Sequence, residues 1–86
     1  MASFVKIEND GYISQAIIIS ELDCGNESYP QSELIGKQFI QNTLFLDGEW
    51  KQTSIDGSYR GMYASIGCFY DSVKDEFVAP QPDIID

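Results

Sequence analysis

An α+β fold, with a small antiparallel β-sheet built from hairpins and one α-helix packed on it, is predicted by three observations in this 86-residue sequence. Short β-branched and aromatic runs alternate with Asn, Asp and Gly turn signals. One stretch, from Ser32 to about Leu44, carries helical spacing instead. Hydrophobic residues make up 43% of the chain, enough to build a core and too many for a disordered tail. A helix segregated to one face of an antiparallel sheet is the layered solution for such an order of elements.

The first two strands are read at Phe4–Glu8 and Tyr12–Ser20. Asn9-Asp10-Gly11 between them tolerates the positive φ that a tight hairpin connection requires. Alternation sets Val5 and Ile7 on a buried face and Lys6 and Glu8 on a wet one. Along the second strand, Ile13, Gln15, Ile17 and Ile19 fall on one side and Tyr12, Ala16 and Ile18 on the other, so that strand is expected to be covered on both faces or to meet a neighbour at its far end. Residues 21 to 31 collect acids, Cys24, Gly25, Asn26 and Pro30, the composition of a mobile surface connection.

Ser32 is placed as the helix N-cap, with Glu33 favoured near the positive helix end. Ile35 and Phe39 form one core-facing pair, while Ile40 and Leu44 form a second apolar pair turned away from it, which implies broad burial or contact with another subunit. Glu49–Ser54 reads as a strand with an exposed face, and Asp56-Gly57 as the turn of a second hairpin leading to Tyr59 and Arg60. Met62–Tyr70 is β-prone, residues 71 to 75 form a loop, and Glu76–Ala79 returns antiparallel. Pro80 and Pro82 remove ladder donors and end the sheet. The division that follows is one α+β domain over residues 1–82 and a short C-terminal tail over 83–86.

At this length a folded chain hides roughly 60 to 65% of the surface its unfolded form exposes, so oligomeric contacts or docking on a larger assembly would add useful burial. Fourteen acidic residues against five basic ones give a formal charge of −9, spread along the whole chain. Such a surface repels phosphate backbones and anionic lipid, and no Lys/Arg cluster offsets it. Neither nucleic acid nor membrane is therefore expected as a partner. No apolar run approaches the roughly 20 residues needed to span a bilayer, and no signal-like segment precedes the first strand, so synthesis in the cytoplasm without export is expected.

The sequence has no histidine, which removes the commonest general base and zinc ligand. Cys24 and Cys68 form no Cys-x-x-Cys pair and read as free, buried thiols. Asp71, Asp75 and Glu76 lack the spacing of an EF-hand and read as a solvated hairpin turn. Gly57, Gly61 and Gly67 lack the setting of a phosphate loop. Trp50, Tyr59, Tyr63, Phe69, Tyr70 and Phe77 would suit a sugar-stacking platform if exposed together, and read more simply as core and interface. Arg60, the sole arginine, offers a planar fork either to an acid of the same domain or to a partner. No catalytic residue, cofactor or metal is assigned.

The pattern Trp50-x-Gln52-Thr53-Ser54, then Arg60, Tyr63-Ala64-x-Ile66-Gly67, Tyr70-Asp71, Phe77 and Pro80-Gln81-Pro82 resembles a family of small proteins of marine tailed bacteriophages, particularly those infecting cyanobacteria. Cys68 and Phe69 stand where that pattern more usually has an aromatic and a small polar residue. The resemblance implies a non-enzymatic virion structural protein, foremost an accessory protein decorating the capsid exterior, with the major capsid protein or tail proteins as partners and a homo-oligomer also compatible. A tail or fibre attachment module, a carbohydrate-binding module for the host surface, and an intracellular protein binding a host factor are the alternatives. Ile40, Leu44, Trp50, Tyr59, Arg60 and Tyr63 are the residues expected to form the contact surface.

Overall fold

The computed structural model describes residues 1–80; Gln81, Pro82 and the predicted tail over 83–86 lie outside the described residues. The elements in chain order are β1 (Ala2–Ile7), β2 (Ile13–Ile19), a short 3-10 helix (Glu21–Cys24), α1 (Gln31–Asn42), β3 (Glu49–Thr53), β4 (Phe69–Asp71) and β5 (Glu76–Val78). The strands form a three-stranded antiparallel sheet in the order β2-β1-β3 and a two-stranded antiparallel ribbon, β4-β5. The α+β class predicted from the sequence is the class observed.

The first hairpin forms where expected. Gly11 takes φ +87°, and its N–H donates to the Glu8 carbonyl while the Glu8 N–H donates to the Tyr12 carbonyl. A side chain at Gly11 would also collide with Phe69, 2.4 Å from an ideal Cβ, so glycine serves both the turn and the packing.

β1 does not have the wet face the alternation implied. It is the central strand, and Ala2, Ser3, Phe4, Val5 and Ile7 are all buried. Phe4 joins Ala2, Ile19, Cys24, Ile40 and Trp50 in one cluster, while Val5 joins Ile7, Ile13, Ala64, Cys68 and Phe77 in another. Neighbouring strand residues point to opposite faces, so β1 separates two half-cores. One lies beneath α1 and the other beneath the β4-β5 ribbon.

β2 departs from simple alternation for a specific reason. Ile7 pairs with Ile13, but Lys6 pairs with Gln15, which leaves Ser14 as an extra residue in a β-bulge. The bulge reverses the facing of everything beyond it. Ile13 therefore packs with Val5 and Ile7, whereas Ile17 and Ile19 pack with Phe4, although all were predicted on one side. Ser14, Gln15, Ala16 and Ile18 remain exposed, so the strand is not covered on both faces.

The connection over residues 21 to 31 is more ordered than its composition implied. Its 3-10 helix buries Cys24 against α1 and ends on Gly25 in the left-handed region. In α1, Ser32 is not the cap: Pro30 holds that position, and the Ser32 hydroxyl donates instead to the Gln52 side-chain oxygen at 2.6 Å. The face toward the sheet is Ser32, Gly36 and Ile40, a four-residue repeat with two small side chains. Ile40 is therefore fully buried rather than turned away, Ile35 and Phe39 are half-buried, and Leu44 lies beyond the helix and is exposed.

β3 pairs with β1, Phe4 opposite Gln52 and Lys6 opposite Trp50. The second hairpin predicted around Asp56-Gly57 does not form. The turn exists, but Arg60 at φ +56° and Gly61 at φ +84° break extended backbone immediately afterwards, and residues 54–68 contain no strand. β4 and β5 pair antiparallel as expected across the loop at 72–75, but over three residues each: the strand predicted over Met62–Tyr70 begins only at Phe69.

Gly36 offers a sharp test of the helix-to-sheet contact. Helix propensity alone favours Gly36→Ala by about 1 kcal/mol. A Cβ there would fall 2.3 Å from the Phe4 ring, which is fully buried, and 3.1 Å from the Cys24 sulfur. We expect Gly36→Ala to destabilise by about 1 to 3 kcal/mol in a denaturant titration, the range for overfilling a packed core.

Candidate functional site

The densest polar constellation is centred on Arg60. Its side chain is 7% exposed, and it reaches three separate segments. Nη1 and Nη2 donate to the two Glu33 carboxylate oxygens at the start of α1, Nη1 also donates to the Gln52 carbonyl of β3 at 2.9 Å, and Nε donates to Asp75 Oδ1 in the β4-β5 loop at 2.9 Å. Glu33 in turn accepts the Gln52 backbone N–H at 2.8 Å. The Arg60 carbonyl accepts the N–H groups of Met62 and Phe77. Two aromatic rings close the upper side: Tyr29 and Tyr59 stack with centroids 3.7 Å apart and planes 6° from parallel, and the guanidinium carbon lies 5.4 Å from the Tyr29 centroid.

The chemistry of this node is that of a satisfied ion network. Among the described residues, no buried side-chain nitrogen or oxygen lacks a hydrogen-bond partner. Desolvation works against the Arg60 charge, but the Glu33 hydrogen bonds and charge, with the hydrogen bond to Asp75, outweigh it and raise its pKa. For Asp75, desolvation pushes upward, but hydrogen bonds from the Tyr70 hydroxyl and Arg60 hold its carboxyl below the usual range. Burial, with the adjacent Tyr29 and Glu33, pushes Tyr59 up to about 12. These shifts favour the cation of Arg60, the carboxylate of Asp75 and the neutral phenol of Tyr59.

The predicted contact residues do not gather on one surface. Ile40 and Trp50 are buried in the half-core beneath α1, where the Trp50 indole N–H donates to the Asp47 carbonyl at 2.9 Å. They are core of the chain itself, not exposed anchors. Arg60 turns its fork inward and Tyr59 is half-buried against Tyr29. Leu44 and Tyr63 are exposed, at 40% and 43%. Sequence reasoning missed Phe45, the neighbour of Leu44, which is 80% exposed and held at φ +56°. Its signal was faint: nothing in the sequence marks a phenylalanine two residues past the Thr43 C-cap as the one that takes a left-handed backbone.

The remaining sequence candidates resolve into structure. Asp71 Oδ1 accepts the Val73 and Lys74 N–H groups and so caps its own turn. Trp50 and Phe77 are buried, and Lys51 sits over the Tyr70 ring, so the six aromatics present no common platform. Among the described residues, no three of His, Cys, Asp and Glu form a metal-ligand group, and no helix is long and apolar enough to cross a membrane. Cys24 and Cys68 are both free and buried, with burial raising the Cys24 pKa.

Fold and site together define a small α+β domain whose charged node is spent on holding its layers together. Comparisons with protein families, curated proteins and solved structures find no match.

Two outcomes test the node. Arg60→Ala strands the Glu33 carboxylate in a site where its side chain is 15% exposed, and we expect a loss of about 3 to 5 kcal/mol by chemical denaturation. Arg60→Lys recovers only part of this, because one ammonium cannot reproduce the fork. The pH dependence follows from the shifts. An Asp75 carboxyl lowered in the folded state contributes stability above its unfolded value of about 3.9, lost as pH falls through the lower folded value. The Tyr59 contribution is fully present below its unfolded value of about 10 and is lost as pH rises toward the folded one. In thermal melts across pH, Tyr59→Phe should leave neutral stability unchanged and flatten the fall above pH 10.

Proposed function

We propose that this chain is a non-enzymatic structural protein of a phage virion, and that it decorates the capsid exterior by docking through the apolar prominence at Leu44 and Phe45. The resemblance of the Trp50–Pro82 pattern to small marine phage proteins supplies the biological setting. The observation that carries the docking assignment is Phe45 itself. An exposed phenyl adds little to the core, and a bulky side chain in the left-handed region raises the energy of the fold by about 1 kcal/mol or more. It is the strained backbone that sets Phe45 apart from the other exposed apolar residues, and strain of this kind is kept where a contact outside the chain uses it. The carboxylates distributed over the rest of the surface suit an outward, solvated face.

In this reading Arg60 and its partners stiffen the domain, and the contact to the shell is made by Leu44 and Phe45 with water-excluding neighbours. A tail or fibre location uses the same prominence at lower copy number.

The test is quantitative mass spectrometry of purified particles of the encoding phage, taken relative to the major capsid protein. Head decoration gives a ratio near a simple fraction of the capsid count; a handful of copies moves the protein to the tail, and absence from particles ends the virion reading. In the same assay Phe45→Gly should reduce occupancy sharply, while the isolated variant stays within about 1 kcal/mol of the parent because glycine accepts the backbone geometry.

A further inference from the structure

The two edges of the three-stranded sheet are treated differently. At β3 the Gln52 N–H and C=O are capped by the side chains of Glu33 and Arg60, which closes that edge to another strand. At β2 only the beginning is closed: the Ile13 N–H donates to the Cys68 carbonyl, and the Gly67 N–H donates to the Ile13 carbonyl. From Gln15 to Ile19 β2 has β1 on one side and no strand on the other among the described residues. Alternate residues of an edge strand turn their N–H and C=O groups outward, a ready template for one more strand.

The usual guards against such pairing are charge, proline or a bulge within the edge. Gln15-Ala16-Ile17-Ile18-Ile19 carries no charge and no proline, and the bulge at Ser14 lies before it. Ile18 is 55% exposed on the same face as exposed Ala16.

We infer that β2 pairs with β2 of a second copy of this chain, antiparallel about a two-fold axis at Ile17, to give a continuous six-stranded sheet. The backbone groups require an extended strand as occupant. Pairing centred on Ile17 sets Ala16 opposite the second copy's Ile18, small against large, and confines the contact to the open part of the edge. In a chain of net charge −9, two copies meet here without placing one carboxylate opposite another. A basic partner drawn to the acidic surface would find no acid on this edge. Such an interface is isologous, and its small size makes it concentration-dependent. It is independent of the virion reading.

Sedimentation velocity of the full chain over a concentration series tests this. Average mass should rise from one chain toward two, and amide exchange along Gln15–Ile19 should slow with concentration. The double variant Ala16→Glu/Ile18→Glu, both at exposed positions, should stay monomeric with an unchanged melting temperature, as should Ala16→Lys/Ile18→Lys. Mixing the two should restore the dimer, because each acid then faces a lysine. A wild-type chain that is monomeric throughout, or a dimer indifferent to both double variants, overturns the proposal. So does protection of β2 seen only in assembled particles, which would give the edge to a strand of another protein.

Discussion

The contact between Arg60 and Glu33 is the constraint on which the rest of the molecule rests. The segment between β3 and β4 contains no strand, yet it has to be fixed for Ala64 and Cys68 to fill the half-core beneath the ribbon. Arg60 supplies that anchorage with both its side chain and its backbone, joining α1, β3, the β4-β5 loop and Phe77. A buried pair of this kind is weak evidence for high stability, since desolvation offsets much of the attraction. What its geometry fixes is an arrangement: the fork meets one carboxylate, one carbonyl and a second carboxylate at once. With fourteen acids available and a single arginine, the choice of partner is made by where the guanidinium can reach.

Around that anchorage the sheet works as a partition. Phe4 and Val5 are adjacent in sequence and belong to different half-cores, so each half is assembled from few residues and shares β1 with the other. This suits a chain too short for one large core. It also explains why small side chains matter as much as large ones. Ser32 and Gly36 let α1 approach until Phe4 meets the helix backbone, and the buried Ser32 hydroxyl is satisfied by Gln52 instead of by the helix end.

What could be read in advance followed short-range chemistry. Asn9-Asp10-Gly11 identified the first hairpin, and the polar run from Asp71 to Asp75 identified the last, because turn residues act through their own backbone preferences. The bulge at Ser14 had no such marker, and one unmarked insertion was enough to send Ile13 and Ile17 to opposite faces. The helix was found, but its core face was mistaken because a surface of Ser32 and Gly36 gives little hydrophobic signal. Asp56-Gly57 was read as a turn and is one; the strand expected after it failed on the positive φ of Arg60, which an arginine does not advertise. Arg60 stood out by composition, whereas Glu33, twenty-seven residues away, was identifiable only once the chain had folded. The same limit applies to Trp50 and Ile40, whose apolarity fits a contact surface and a core equally well.

The two cysteines acquire a meaning from the partition that their sequence positions did not give. Cys24 belongs to the half-core under the helix and Cys68 to the half-core under the ribbon, each almost wholly shielded. A bond between them would have to cross the sheet, so the native state closes no disulfide between its two halves. The same separation makes the thiols two built-in clocks. The rate at which each becomes reachable by a small electrophile measures the breathing of its own side of the sheet, and any difference between the rates shows whether the two halves open together or apart.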